Sequence, residues 1–482
     1  MKKLSILFFV LIANITFATT YHVSVSGGDY STIAGVNGAT FSPDDQILFN
    51  QGETFVGRLN IPSSGTSGHP ITFGKYGTGV NPIIDANNAN TRCISTDSKE
   101  YITIDGIDCK NATGYGIADD INSNHITIQN LAVSDIGTDN ALAYGIAQSG
   151  GYCTITHCII TNIAAVGINL AGGHNLVTYN DVSYTNAIYT GWGAGIVTTP
   201  ATAADDGTEI AYNTIHDNGG VGTLGQTHGI YVGVATTNIN VHNNIITNSS
   251  KGSGIHFKGS GNVYRNYISN SSNQGIGTGN NETNNVVVNV YENIVTGNGR
   301  GLLEGGQGAG TLDLRIYNNT FYLNNNTTID VYTDEIKIVD DVNLLSIKNN
   351  IIYAVAGRYA LVFTTPQTHA VINNNCLYQT SGNLILYNGS YKTWSYWQGY
   401  GFDTNGINAN PLFISSSDFH LQSGSPAINA GVDVGLTTDY LGHSIVGLPD
   451  IGAYEYGAIP YVSMVGAYHK KALVDHKKVL KF

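Results

Sequence analysis

Two histidines, a tyrosine and a lysine fall in the neighbouring phrases THGIYV and SGIHFKG, as His228, Tyr231, His256 and Lys258. Each phrase is built on a Gly-Ile step, and the step recurs at Gly167-Ile168, Gly195-Ile196, Gly229-Ile230, Gly254-Ile255 and Gly275-Ile276, with Gly301-Leu302 as a variant. If the isoleucine faces inward, the next residue faces outward, and so does the one two further on. That outward column holds Asn169, Val197, Tyr231, His256, Gly277 and Leu303, with Lys258 in the column beside it. The residue just before the glycine adds His228 and Arg300. A base, a cation and a proton donor on one face suit removal of a proton from a carbon beside a carboxylate, with expulsion of a group from the next carbon. Lys258 or His256 is the candidate base once cationic neighbours lower its pKa. Tyr231 is the candidate acid and His228 completes the catalytic set. Arg300 is placed to grip a carboxylate with two prongs, and Asn169 and Trp192 to hold the rest of the substrate. The same groups also suit epimerisation, in which the proton returns from the other face. The plain alternative is a polar β-face of solvated side chains.

Carboxylates make a second constellation. Asp205, Asp206 and Glu209 cluster before IAYNTIHDN, and Asp217 follows. A Ca²⁺ ion needs several oxygen ligands, and Asp205, Asp206 and Asp217 are the candidates. Hydrolysis of a glycosidic bond instead needs two carboxyl groups about 5–10 Å apart; Asp205, Asp206, Asp217 and Glu304 are the nearby supply, and Glu304 falls in the inward column. Asp330, Asp334 and Glu335 read as a solvated coil edge or a weak ion site, and each acidic group taken alone also reads as ordinary surface loop. Two stretches, 189–206 and 218–233, are longer than the coils near residue 270 and lie beside His228, Tyr231 and His256. Long excursions on one side of a repeat array build its binding face, and Trp192 lies in the first of them.

The elements that must position these groups are repeats. Phrases such as TYNDVS, AYNTIH, VHNNII, YRNYIS, IYNNTF and IKNNII recur between residues 101 and 378. Asn180, Asn213, Asn243, Asn266, Asn319, Asn349 and Asn374 mark successive copies, with Glu292 in one slot. The period of about 28 residues, with apolar and polar residues alternating inside each unit, predicts short strands in a solenoid. No propeller-blade signature is present, so the expected fold is all-β: a right-handed parallel β-helix of about ten or more coils with capped ends. Gly and Asn supply corners. Asn at equivalent corners of coils roughly 4.8 Å apart can form an amide ladder, which assigns these residues to structure rather than chemistry.

Composition agrees. Only 11% of residues are charged, while Gly (59) and Tyr (30) are abundant. The net charge of −13 argues against nucleic acid as a partner, though an acidic protein can still carry a locally positive cleft. Residues 1–18 read as a secretory signal: Lys2 and Lys3, an apolar run from Leu4 to Ile12, and cleavage near Ala18. The run is too short for a membrane span, and export as a monomer is expected. The five cysteines show no metal or redox spacing. Cys109 and Cys158 fall at inward positions as core thiols, and a bridge from Cys93 stays open. Beyond the signal the chain divides into an entry region (19–100), coils (101–378), closing coils with an aromatic loop (379–457) and a basic tail (458–482).

The coil phrases resemble the right-handed parallel β-helix repeat family of secreted bacterial proteins. The entry segment DQILFNQGETFVGRLNIPSSGTSGHPITFGKYG and the endings WQGYGFDTNGINANPLF, DFHLQSGSPAINAG and DIGAYEY are similar to it as well. The resemblance spans roughly residues 21–457. It implies the fold, and a range of activities: polysaccharide lyases, glycoside hydrolases, uronan epimerases and non-catalytic surface proteins. It implies that Trp397 belongs to a closing element and not to a sugar platform with Tyr391, Trp394, Tyr396 and Tyr400. Lyases of this fold often use Ca²⁺ to bind the substrate carboxylate. Together the residues and the resemblance lead to an exported lyase cleaving an acidic, uronic-acid polysaccharide by β-elimination, with Ca²⁺ as a possible ion. A carboxylate-based glycoside hydrolase and a non-catalytic glycan-binding solenoid are the alternatives.

Overall fold

The computed structural model describes residues 18–119, 123–139, 141–198, 207–234, 236–279, 285–306, 310–324 and 334–457. Among them, strands stack into three long sheets of 14, 14 and 13 strands, in which consecutive members come from successive coils. The first sheet runs from Thr20–Val23 to Ala370–Asn373, the second from Thr54–Val56 to Cys376–Tyr378, and the third from Leu59–Asn60 to Ile385–Tyr387. Pairing is parallel except for Ser390–Lys392, which folds back on the last strand of the third sheet. The chain is thus a parallel β-helix of about 13 turns.

β-Branched residues repeated at one position make the core. In the first sheet Ile104, Ile128, Ile155, Val177, Ile210, Val241, Val263, Val290, Ile316 and Ile347 lie one above another. All are fully buried. Their restricted χ1 rotamers suit a pleated surface, and each coil adds another layer to the same apolar column.

The Asn ladder forms, but with a different membership. Asn180, Asn213, Asn244, Asn266, Asn293, Asn319, Asn350 and Asn375 are its rungs, and Asp403 ends it. Each side-chain oxygen accepts from both the backbone N–H and the amide of the rung before, at about 3 Å. Asn243, Glu292, Asn349 and Asn374, expected as rungs, instead occupy the preceding position. There φ lies between 53° and 58°, and the chain turns the corner. The rungs are 33 residues apart from Asn180 to Asn213 and 22 apart from Asn244 to Asn266. The coils around 190–230 are therefore the enlarged ones.

Coiling starts earlier than residue 101. Gln46–Asn50 and Ile71–Tyr76 pair in register with Ile102–Asp105 in the same sheet, so most of the entry region is already coil. The N-terminal end is covered by the helix Ile33–Asn37, through Ile33 and Val36. At the other end the helix Trp394–Gly399 seats Trp397 on the core against Phe363, Tyr387 and Phe402. The Trp397 indole N–H donates to Asp403. Trp397 is a lid on the core, while Tyr391, Tyr396 and Tyr400 remain exposed. The segment after Ile407 folds back over the outer face of the second sheet and forms a small core of its own with Ile294, Ile351, Cys376, Phe413, Phe419 and Leu421. All five cysteines are buried free thiols, so Cys93 forms no bridge. No helix among the described residues is long and apolar enough to cross a membrane.

Candidate functional site

The third sheet carries the candidate chemistry, and its glycines explain how. A Cβ on Gly229 would lie 2.5 Å from the Gly254 carbonyl oxygen and 2.6 Å from Ile246 Cγ2, a core atom. Gly195 and Gly254 face core isoleucines in the same way. The glycine and the isoleucine of each step therefore both point inward. The residues on either side of the pair are consequently both turned outward. This places His228 and Tyr231 on one surface although two residues, Gly229 and Ile230, lie between them.

Register completes the column. Asn169 pairs with Val197, Val197 with Tyr231, Tyr231 with His256, and His256 with Gly277. The rings of His228 and His256 lie 4.7 Å apart, those of Tyr231 and His256 5.6 Å apart and nearly parallel, and those of His228 and Tyr231 5.7 Å apart. The Lys258 ammonium sits 5.9 Å from the centre of the Tyr231 ring, within cation–π range. Lys258 itself lies in register between Gly233 and Gly279, next to Val232–Phe257–Thr278. The surface around its stem is therefore low. Trp192 and Tyr189 pack beside Tyr231 on a small apolar floor of Ala165, Val166, Ala194 and Val197.

Electrostatics follow from this packing. Burial, then the His256 and Lys258 charges, push the His228 pKa well below its usual range. Burial and then Lys258 lower His256 to about 4. Both imidazoles are therefore neutral at neutral pH. The Ser253 backbone N–H donates to Nδ1 of His228 at 3.2 Å, which leaves the His228 proton on Nε2. Nδ1 of His256 is buried with no hydrogen-bond partner.

Arg300 stands differently. It occupies the column of His228, Ser253 and Gln274, two coils beyond His256. Its Nε donates to Asp334 at 2.5 Å, and both side chains are buried, at 7% and 0% exposure. Expected to present its guanidinium to a substrate carboxylate, Arg300 instead has its Nε held by an acid of the next coil. Asp330 lies outside the described residues, and Asp334 and Glu335 are no solvated edge. Glu335-Ile336 takes the slot of a Gly-Ile step, so Glu335 points inward. There it accepts from Asn324, the end of a second Asn ladder, at 2.6 Å, and burial raises its pKa far above the carboxylate range. Glu304 also faces in, accepting from the Val339 and Asp340 N–H groups, with its pKa raised to about 7 by burial.

Of the acidic residues named for Ca²⁺, Asp205 and Asp206 lie outside the described residues. Asp217 sits at the corner after the second-sheet strand Thr214–His216, away from the cluster. It is bonded to His216 Nδ1 at 2.7 Å and to the Asn248 amide at 2.9 Å. No group of three or more His, Cys, Asp and Glu suited to a metal occurs among the described residues. Gln274 was not anticipated. It precedes a Gly-Ile step as His228 does, and its amide lies over Gly277: a Cβ there would meet Gln274 Nε2 at 2.6 Å and His256 Nδ1 at 3.0 Å. The shared pre-glycine slot was the available signal.

No protein-family model matches the sequence, and no curated protein matches it. Among solved structures, the pectate lyase Pel9A is similar over 92% of this chain and 98% of its own, at 14% identity and a TM-score of 0.47. An alginate lyase from Paenibacillus sp. str. FPU-7 is similar over 77% of this chain and 99% of its own, at 14% identity and a TM-score of 0.32. The tailspike protein of E. coli bacteriophage HK620, solved with a pentasaccharide, is similar over 74% and 69%, at 9% identity and a TM-score of 0.47. At these values the likeness says nothing of the reaction. By its own coils, this chain is a parallel β-helix.

Proposed function

We propose that this chain is an exported enzyme that acts on an acidic polysaccharide by β-elimination at a uronic-acid residue. The observation that carries the reading is the contact of His228, Tyr231 and His256, with Lys258 beside them, on one outward face. With Arg300 engaged by Asp334, Lys258 is the cation that meets the substrate carboxylate, which acidifies the proton at C5. His256 takes that proton as a neutral imidazole. Burial, and after it the Lys258 charge, hold its pKa at about 4. A uronate lying on Lys258 offsets the second of these causes and raises the basicity of His256 as the substrate arrives. Tyr231, stacked on His256, protonates the departing oxygen at C4. His228 is held by Ser253 in one tautomer and donates through Nε2. Trp192 and Asn169 lie further along the same face, where neighbouring sugar units would run.

Elimination leaves an unsaturated uronyl end that absorbs in the ultraviolet, and hydrolysis does not. The test is absorbance during incubation with pectate, alginate and glucuronan, with Ca²⁺ and with a chelator. A rise that vanishes in Lys258→Ala and His256→Ala supports the reading. New reducing ends without absorbance would replace it with hydrolysis. Loss of the rise on chelation alone would bring back the Ca²⁺ expectation and the residues around Asp205 and Asp206.

A further inference from the structure

A second recess lies on another face, where the closing segment meets the outer side of the second sheet. It is a shallow cleft of about 250 Å³, walled by Tyr322, Tyr353 and Phe413 and rimmed by Asn410, Ser416 and Gln422. Its position is three to four coils beyond His256 and around a corner of the helix, because Tyr322 and Tyr353 belong to the second sheet and His256 to the third. The cleft plays no part in the chemistry above.

Its aromatic rings meet edge to face, in contrast to the stacked tyrosine pair Tyr264–Tyr291 on the first sheet. Tyr264 and Tyr291 stack face to face at 4.8 Å and 4°, so each covers the other's face. Tyr322 and Tyr353 stand in the same kind of column, 5.0 Å apart, but at 80°, and Tyr353 and Tyr378 are at 83°. In such an edge-to-face pair only one of the two rings has a face covered by the other. The rim is polar and held in place: the Gln422 amide donates to the Phe413 carbonyl at 2.7 Å, and the Asn410 side-chain oxygen accepts from the Leu412 N–H at 2.9 Å. None of the described residues lining the cleft is charged.

We infer that this cleft is a second carbohydrate site, which takes one or two uncharged sugar units by ring stacking and by hydrogen bonds to amide and hydroxyl groups. A pyranose has an apolar C–H face and an edge of hydroxyls, and the walls and rim of the cleft match that division. At about 250 Å³ the cleft falls just below the range of about 300–1,000 Å³ typical of sites for larger small molecules, a size in keeping with one or two sugar units. The absence of charge selects a neutral sugar over a uronate, since burying a carboxylate against aromatic walls without a partner is strongly unfavourable. The site would hold a neutral branch or a neighbouring neutral chain while the third sheet works on the acidic one. It does not depend on the elimination reading.

The test is calorimetric titration of the full chain with xylohexaose, mannohexaose, galactotetraose and cellohexaose, alongside two variants. Ser416→Trp, at an exposed position, fills the cleft without touching the core, and Tyr353→Ala removes a wall. At least one probe is expected to bind saturably, with Kd raised roughly tenfold or more in Ser416→Trp and unchanged in Lys258→Ala. If no probe binds, the cleft is not a sugar site. Binding that survives Ser416→Trp and fails in Lys258→Ala would place the neutral sugar on the third sheet and overturn the inference. Absence of polyuronate cleavage by the wild-type chain, with binding of a neutral probe, would refute the proposed reaction and leave this site standing.

Discussion

The rings of His228 and His256 lie 4.7 Å apart although 28 residues separate them, because one coil sets each directly above the other. Two imidazoles that close, buried and beside Lys258 cannot readily both be charged. The unfolded chain carries ordinary histidines near 6.5, whereas folded His256 titrates near 4. The unfolded state therefore binds more protons between those values, and stability falls as pH drops from about 6.5 toward 4. Urea midpoints at pH 7.0 and 5.0 should differ in this sense. The difference should shrink in a His228→Asn, His256→Asn double variant. An unchanged difference would show that the pair does not drive it.

Catalysis should follow the same groups. His256→Ala is expected to lower kcat/KM on a polyuronate by roughly 10²–10⁴, the usual worth of a positioned acid or base. Lys258→Ala should raise KM as well, because it removes the charge that meets the carboxylate. A variant at His256 with undiminished kcat would transfer the base role to Lys258.

The Gly-Ile step should tolerate no side chain. In Gly229→Ala the new methyl would meet a backbone oxygen and Ile246 at about 2.5 Å, and overpacking of this kind costs about 1–3 kcal/mol. Gly399→Ala, with nothing within 4 Å of the new methyl, is the control and should be nearly neutral. Comparable thermal midpoints for the two would contradict the inward placement of Gly229.

The ladder gives a further contrast. Asn266→Ala removes bonds to Tyr264, Val241 and Asn293 and leaves the buried Asn244 N–H and amide without their acceptor. A loss of about 1–3 kcal/mol per buried group left unsatisfied is expected. Asn243→Ala removes one part-buried bond, to His242 Nδ1 at 2.8 Å, and adds the strain of a left-handed φ, so its loss should be smaller. Chemical denaturation of the two variants reads the difference, and equal losses would undo the assignment of rungs.

That contrast also marks what was legible in the residues. The Gly-Ile step located the outward column correctly because the glycine is the one residue that can sit inward beside an isoleucine without displacing the core. The ladder was misplaced by one position at Asn243, Asn349 and Asn374 because these begin Asn-Asn doublets, and Asn suits both the left-handed corner and the amide rung. The decisive cases were Arg265-Asn266 and Glu292-Asn293, where only the second residue can be a rung. The pairing of Asp334 with Arg300 was not legible because Glu335-Ile336 does not look like a Gly-Ile step. Only parallel register shows that it fills one and brings Asp334 onto Arg300. The closing segment's return over the second sheet has no repeat to announce it.

His216 should give the molecule a second, opposite pH response. Its Nε2 lies 3.0 Å from Asp181 and its Nδ1 2.7 Å from Asp217, so both ring nitrogens face carboxylates on adjoining coils and one corner. The hydrogen bond to Asp181 is the largest cause of a pKa raised to about 9, with Asp217 adding to it against the opposing effect of burial. A raised histidine pKa stabilises the folded state fully below the unfolded value near 6.5, and that contribution is lost as pH climbs through about 9. His216→Gln removes the charge and keeps much of the shape. Wild type should therefore lose stability between pH 6.5 and 9 by a margin that the variant does not share, read as a difference in urea midpoints across that window. Because the imidazole is partly open to solvent, the margin should also shrink with added salt. Parallel curves for the two proteins at every pH would mean that His216 is neutral in the folded state and that one of the two carboxylates bears the proton instead.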